Sequence, residues 1–409
     1  RLQTPVDSLV REIEAIPIDD PRLDERINEK FDELVGAPER DIKASRLPAW
    51  LVIEALFRKI AAASEGSKAG CLYRCVPRVA EVCEKYGRDH SAVVYRAFNA
   101  LAKICYYKLP NRQYVVHVDN KKTVQLLLEL MDHHAMDAKV QQHACKLFTI
   151  LALEEHAKRV ESVDFELALR LVLKALHNHP RDPDVFGLTC HALAALTAQG
   201  DATRSLLLKE GGLGTAVESL RRHGHLKDKK ACNAVSQLVY SLCLREDLGK
   251  HKFVEAGGVE ALISCLEYHS DFASLVKFAC LALNQMLSTR ATPPASPILS
   301  AAIKCALADR GSDLSSILSS CGETLQRQMD LESSQSNEQE VNNLKAAQKS
   351  LVSLQRTHQK AMVSRDANEK LGAEGIETGT EKGERKLVAR TEQGAAEIRL
   401  SGDRGRRER

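Results

Sequence analysis

Apolar residues recur every three or four positions through most of the first 290 residues, the pattern of helices that bury one face. The clearest of these stripes repeats along the chain at a nearly fixed distance. Its central residues are Leu101, Leu147, Leu193, Leu238 and Leu283, at steps of 46, 46, 45 and 45 residues. One step further back the stripe occurs as Ile53, Leu56 and Ile60. This period predicts a helical solenoid, in which each unit packs on its neighbours.

A turn motif recurs in register with these stripes. The first copy is Lys209-Glu210-Gly211-Gly212-Leu213, and the second, 46 residues later, is Glu255-Ala256-Gly257-Gly258-Val259. In each copy an apolar run precedes the glycine pair and an amphipathic run follows it, before the repeating stripe begins. We therefore predict units of three helices, with a tight turn at the glycine pair between the first helix and the second.

These motifs resemble the armadillo repeat family. The glycine-pair turn and the third-helix pattern, as in Gln142-His143-Ala144-Cys145-Lys146-Leu147, carry the resemblance over roughly residues 68–290. It implies an all-α fold, a right-handed superhelical armadillo/HEAT-like α-solenoid that binds proteins or extended peptides in a concave groove lined by third helices. In importins of the alpha type, that helix carries tryptophan two positions before the central leucine and asparagine two positions after it. Neither ladder occurs here.

The positions two before and two after each central leucine are expected to face the groove. The polar or amphipathic residues among them form the predicted protein-binding groove: Asn99, Lys103, His191, Ser236, Tyr240 and Gln285. Lys103 is the only cation at these positions. Tyr240 is the predicted anchor, because tyrosine offers a large contact area at low entropy cost. The alternative is an ordinary hydrated surface.

The pattern divides the chain into three segments. Residues 1–43 are predicted to be an N-terminal helical capping segment, and residues 44–330 a solenoid of about six to seven units with a period of 45–46 residues. Residues 331–409 contain no aromatic residue, proline or cysteine, a composition that favours disorder. We predict a largely disordered, charged tail with a possible helix at 338–365. Truncation after Asp330 is accordingly expected to leave the melting temperature nearly unchanged.

Histidines recur at the ends of the second helices: His90, His134, His179, His223 and His269. A row of imidazoles could bind metal or sense pH. However, helices that pack about 8–10 Å apart hold the rings too far apart to share a zinc ion. We predict instead that each histidine caps the carbonyl end of its own helix.

Composition restricts the function more than the fold. Charged residues make up 28% of the chain and the formal net charge is +3, which favours neither nucleic acid nor a membrane surface as partner. The 12 cysteines lie mostly at apolar helix positions, which indicates a reducing compartment, the cytoplasm or alternatively the nucleus. Cys71, Cys75 and Cys83 come close to a cluster but lack a fourth ligand, so we predict no metal site and no cofactor.

No nucleophile motif or phosphate loop accompanies the repeats. We therefore predict a non-catalytic protein–protein interaction scaffold with a protein or peptide ligand. An alternative is the solenoid arm of a larger enzyme or assembly, because a chain that begins at Arg1 is expected to be a fragment. A third hypothesis is nucleic-acid contact through the basic end of the tail, residues 404–409. The sequence does not predict the oligomeric state.

Overall fold

The computed structural model describes residues 5–20, 22–36, 49–63, 72–106, 109–117, 122–152, 164–222, 225–243, 247–287, 304, 307, 311–335 and 337–374. Within these ranges all regular structure is helical. The α-helices are α1 (Pro5–Ala15), α2 (Leu23–Gly36), α3 (Ala49–Ala63), α4 (Val76–Tyr86), α5 (Ser91–Tyr106), α6 (Leu109–His117), α7 (Lys122–His133), α8 (Ala138–Ala152), α9 (Phe165–Asn178), α10 (Pro183–Thr197), α11 (Asp201–Lys209), α12 (Gly212–Arg222), α13 (Lys229–Cys243), α14 (Asp247–Glu255), α15 (Gly258–His269), α16 (Ala273–Leu287), α17 (Gly311–Ser334) and α18 (Glu338–Glu374).

The helices form two rows. The third helices pack on one another in chain order, as α3, α5, α8, α10, α13, α16 and α18, and α1 packs on α3 at the N-terminal end. The second helices form the other row, as α2, α4, α7, α9, α12, α15 and α17. Short first helices, such as α6, α11 and α14, connect one unit to the next. The predicted all-α solenoid is confirmed, since each unit contacts the units before and after it.

The repeating apolar stripe forms the core between the two rows. The five central leucines, Leu101, Leu147, Leu193, Leu238 and Leu283, are each 0–1% exposed. The stripe of α3 is buried as well, at Ile53, Leu56 and Ile60. One face of each third helix therefore packs on its own second helix and on both neighbouring third helices, which confirms the period read from the sequence.

The glycine pairs form the predicted turns. Gly211 and Gly257 each have a φ of 72°, a left-handed conformation that other residues rarely adopt. The second glycine of each pair allows close packing instead. A Cβ on Gly258 would lie 2.2 Å from the ring of Phe253, and one on Gly212 would lie 2.4 Å from Leu207. The first helix can therefore fold directly onto the start of the second.

Three third helices begin at aspartates that the repeating apolar pattern does not mark. Asp137, Asp182 and Asp228 precede α8, α10 and α13 at steps of 45 and 46 residues. Each accepts hydrogen bonds from the backbone N–H groups two and three residues later, at 2.8–3.3 Å. Such N-caps stabilise a helix by about 1 kcal/mol each. They show that the repeat extends to polar positions.

The histidine column connects neighbouring units. Nε2 of His134 lies 2.7 Å from the carbonyl oxygen of Gly87, and the corresponding distances are 2.9 Å from His179 to Ala135 and 2.9 Å from His269 to Leu226. Each acceptor lies at or just beyond the end of the preceding unit's second helix. The prediction that each histidine caps its own helix is therefore wrong for these three, because their rings reach the carbonyl of the adjacent helix. His223 lies outside the described residues.

The N-terminal segment supplies the first unit of the stack. Helix α2 packs on α3 and α4 and so takes the place of a second helix. Its apolar face, Leu23, Ile27, Phe31 and Leu34, is 0–1% exposed. The domain boundary predicted at residue 43 lies outside the described residues.

The structure differs most from the prediction at its C-terminal end. Helix α18 packs along α16 and α17 and buries Leu344, Ala347, Leu351 and Leu354, each 0–2% exposed. Residues 338–374 are therefore not the largely disordered tail that we predicted, and the boundary after residue 330 falls within α17, which ends at Ser334. The prediction for residues 375–409 falls outside the described residues.

Candidate protein-binding face

The solvent-facing side of the third helices is the surface on which the sequence placed the groove. Half-buried residues near the middle of α5, α8, α10, α13 and α16 form a row along it: Asn99, Lys146, His191, Gln237 and Leu281. We call these five residues the outward row. Members in adjacent units are in contact, since Nδ1 of His191 lies 2.9 Å from Oε1 of Gln237. The row is therefore a continuous surface across five units.

Five of the six predicted groove residues are half-buried, so part of each side chain meets solvent: Asn99, Lys103, His191, Tyr240 and Gln285. Ser236 is fully buried, and its hydroxyl donates to the carbonyl oxygen of Cys232 at 2.8 Å. Its prediction as a groove residue is wrong. Each residue advances a helix by about 100°, and in α13 the outward position falls one residue later, at Gln237.

A cationic cluster occupies the α5 and α8 end of this face. It comprises Tyr95, Arg96, Lys139, His143 and Lys146. The guanidinium carbon of Arg96 lies 5.0 Å from the Tyr95 ring centroid and Nζ of Lys139 lies 5.6 Å from it. The His143 ring stacks on Tyr95 at 5.7 Å with a 20° interplanar angle. The expectation that Lys103 is the only groove cation is therefore wrong, because it considered only two positions per helix.

The electrostatic environment of the cluster is positive at His143. Burial lowers the pKa of His143, and the charges of Lys146, Arg96 and Lys139 lower it further, to about 4. The ring is consequently neutral at pH 7. Burial also lowers the pKa of His191, although its hydrogen bond with Gln237 opposes that change. Neither residue behaves as an exposed, readily protonated imidazole.

An apolar patch occupies the other end of the face, on α13 and α16. It comprises Tyr240, Phe278 and Leu281, all half-buried. The ring centroids of Tyr240 and Phe278 lie 5.8 Å apart. Burial raises the pKa of the Tyr240 hydroxyl, so it stays protonated at neutral pH. The predicted anchor therefore lies in an aromatic contact between two units.

A cleft of about 540 Å³ lies beyond the apolar patch, between the ends of α16, α17 and α18. Lys277 donates to Glu340 across it, Ser274 donates to Oδ1 of Asn233 at 3.0 Å, and Arg327 donates to Thr324 at 3.2 Å. Burial alone would raise the pKa of Glu340, but hydrogen bonds from Lys277 and Asn343 outweigh it and the pKa is lowered. These contacts join α18 to α16.

The opposite face, formed by the second helices, has a different chemistry. Its charged side chains are matched between units, as in Lys174 with Asp132 at 2.6 Å and Arg170 with Glu210 at 2.8 Å. Arg88 and Glu129 form a longer pair at 3.6 Å. Aromatic and aliphatic contacts like those of the apolar patch are therefore concentrated on the third-helix face.

The cysteines of the described residues are buried, free thiols: Cys75, Cys83, Cys105, Cys145, Cys190, Cys232, Cys265, Cys280 and Cys321. Burial raises the pKa of Cys83, Cys105 and Cys145 to about 12. In the described ranges, no group of three or more histidine, cysteine, aspartate or glutamate side chains is placed to hold a metal ion. No helix there is long and apolar enough to cross a membrane.

Comparison with known proteins gives one family match. A family model for the H subunit of V-ATPase matches residues 79–245, the units from α4 to α13. No curated protein matches the chain. The chain is also similar to an engineered protein solved by the Northeast Structural Genomics Consortium, with 18% identity and a TM-score of 0.42 over 68% of this chain and 95% of that one. A circular tandem repeat protein with novel repeat topology has 12% identity and a TM-score of 0.32 over 88% and 96% of the two chains.

Proposed function

We propose that this protein is a non-catalytic interaction scaffold that binds an extended segment of a partner protein across its third-helix face. The contrast between the two faces is the observation that carries this proposal. The second helices match their charges between units, whereas Tyr240, Phe278 and Leu281 leave apolar surface exposed on the third helices. Contiguous apolar patches with a polar rim are typical of protein interaction sites.

An extended segment fits this face because the outward row is long and narrow. Adjacent helices pack about 8–10 Å apart, so the row from α5 to α16 spans about 32–40 Å. An extended chain covers that distance with about 9–12 residues. Asn99, His191 and Gln237 carry donors and acceptors that can bond to the backbone of such a segment.

A second candidate is a structural component of a larger assembly. The match of residues 79–245 to the family model for the H subunit of V-ATPase favours it, because the proteins of that family are themselves subunits. Stoichiometric copurification that survives high salt and dilution would favour this function. We propose an intracellular, cytoplasmic location in either case, because buried free thiols are typical of reducing compartments.

Site-specific photo-crosslinking in cells tests where the partner binds. The crosslinking amino acid replaces Gln237 on the third-helix face or, as a matched control, Glu166 on the second helix α9. We expect a discrete adduct from position 237 and none from 166. An adduct from position 166 alone, or from neither position, would contradict the proposal.

Affinity for the crosslinked partner then tests the predicted anchor. Replacing Tyr240 and His191 together by alanine is expected to weaken binding by at least about 2 kcal/mol, roughly thirtyfold. The control replaces Tyr268 and His133, on second helices, by alanine and should leave the affinity unchanged. Tyr240→Phe keeps the ring contact with Phe278 and separates loss of binding from loss of packing. Equal affinities for the wild type and the Tyr240 and His191 double variant would remove these residues from the site.

A further inference from the structure

The third-helix face has two chemically different ends, and this difference restricts the partner beyond the proposed function, on which the inference rests. The cationic cluster lies on α5 and α8, and the apolar patch lies on α13 and α16. We propose that the partner segment is an extended, acidic peptide whose carboxylates bind at the cationic cluster and whose apolar side chain binds at the apolar patch.

Charge complementarity supports the acidic end of this segment. Arg96, Lys139 and Lys146 supply three positive charges, and Glu54 pairs with Arg96 at 2.8 Å. A second carboxylate, Asp137, accepts the backbone N–H groups of Lys139 and Val140 as an N-cap. The positive charges at His143 lower its pKa, so the local field remains positive despite these carboxylates. A carboxylate arriving from solvent is attracted to this end of the face.

The aromatic geometry favours a protein over a nucleic acid. Single-stranded nucleic acids bind by stacking bases on open aromatic rings between cations. Here the Tyr95 ring already stacks on His143, and Arg96 and Lys139 lie within 5.0 and 5.6 Å of its centroid. The Tyr95 ring is therefore occupied by its neighbours. The apolar patch further along the face suits an aliphatic or aromatic side chain.

The spacing of the two ends fixes the length of the segment. The centre of the cationic cluster lies between α5 and α8, and that of the apolar patch lies between α13 and α16, which is about three helix spacings away. At about 8–10 Å per spacing the separation is about 24–30 Å, and an extended chain covers it with about seven to nine residues. Acidic residues and an apolar residue at that separation can therefore bind at the same time.

Synthetic peptides of defined charge provide the test. The probe is a fluorescein-labelled peptide with four glutamates, a Gly/Ser spacer of about seven residues and a Leu-Phe pair, made in both orders. Its control has glutamine in place of each glutamate. With the full chain at physiological salt, we expect the better acidic probe to bind at least tenfold more tightly than its glutamine control. The Lys139→Glu and Lys146→Glu double variant should remove that difference.

A matched double variant controls for overall charge. Lys345 and Lys349 are exposed on α18, and replacing both by glutamate changes the net charge by the same amount without altering the cluster. Its acidic-probe affinity should equal that of the wild type. Nuclear magnetic resonance supplies a local readout, because bound carboxylates should raise the pKa of His143 from about 4. The glutamine control should leave it unchanged.

Each other result overturns the inference in a recognisable way. Equal binding of the acidic and glutamine probes shows that the face does not select charge, while adducts from position 237 would still support the proposed function. Equal loss in both lysine variants shows non-specific attraction. Binding of polyuridylate RNA without binding of either peptide identifies a nucleic-acid site. Failure of every probe to bind or to move His143 removes the cluster as a ligand site.

Discussion

The internal unit α15–α16 and the terminal unit α17–α18 share one plan but differ in how regularly they follow it. In both, a second helix packs beside a third helix, and the third helix packs on the third helix before it. Helix α15 has 12 residues, whereas α17 has 24, and α18 has 37 against 15 in α16. The internal unit has neighbours on both sides, and among the described residues the terminal unit has one only on its N-terminal side.

This difference shows that packing, rather than the repeat length, defines a unit of the stack. The distance from Leu283 to Leu351, the buried leucine of α18, is 68 residues rather than 45 or 46. The terminal unit nevertheless buries Leu344, Ala347, Leu351 and Leu354 against its neighbours. Its solvent-facing side is polar, as a solenoid requires of its last unit.

Removal of α18 should have the largest effect on the comparison. Truncation after Ser334 uncovers one side of α16, and the loss of three buried leucines alone corresponds to roughly 5 kcal/mol or more. We expect the melting temperature to fall by many degrees and the protein to aggregate more readily. Truncation after Glu374 is the control and should leave the melting temperature nearly unchanged. Equal melting temperatures for the two truncations would show that α18 is dispensable.

Matched leucine substitutions should separate the two kinds of unit. Leu238→Ala, in α13, is expected to cost about 2–5 kcal/mol of unfolding free energy because it leaves a cavity between packed helices. Leu351→Ala should fall at the low end of that range, because a terminal unit can relax or fray without opening its neighbours. Denaturant unfolding measures both costs. Hydrogen exchange should show faster exchange confined to α17 and α18 for Leu351→Ala, and a wider spread would contradict this picture.

The ion pair between Lys277 and Glu340 should give the smallest effect. Because the folded state lowers the pKa of Glu340 from 4.5, the pair stabilises the fold above that pH, and the contribution is lost as pH falls through the folded value. Glu340→Gln should therefore lower the unfolding free energy by about 1 kcal/mol or less at pH 7 and leave it unchanged near pH 3. Glu338→Gln, in the same helical turn, is the control. A difference that persists undiminished at low pH would show that the carboxylate charge is not responsible.

The sequence predicts the units from α3 to α16 because each repeats an apolar stripe at one period. It does not predict the docking of α18, because a polar helix with one short stripe resembles a solvent-exposed segment until its neighbour is known. The outward positions fail in a similar way. Ser236 and Gln237 differ by one helical step, and only the packing of α13 decides which of them faces solvent. The bond from His179 to Ala135 likewise requires the placement of two units.

The buried thiols make the stack a natural set of chemical reporters. Cys83, Cys145, Cys190, Cys280 and Cys321 lie in different helices from α4 to α17, and each is free and buried. An alkylating reagent attacks the thiolate, which burial suppresses, so each site reacts only while its own part of the protein is open. Peptide mass spectrometry of a timed labelling reaction would then rank the helices by how often they open. The wild-type chain therefore carries its own time-resolved map of unfolding, from one end of the solenoid to the other.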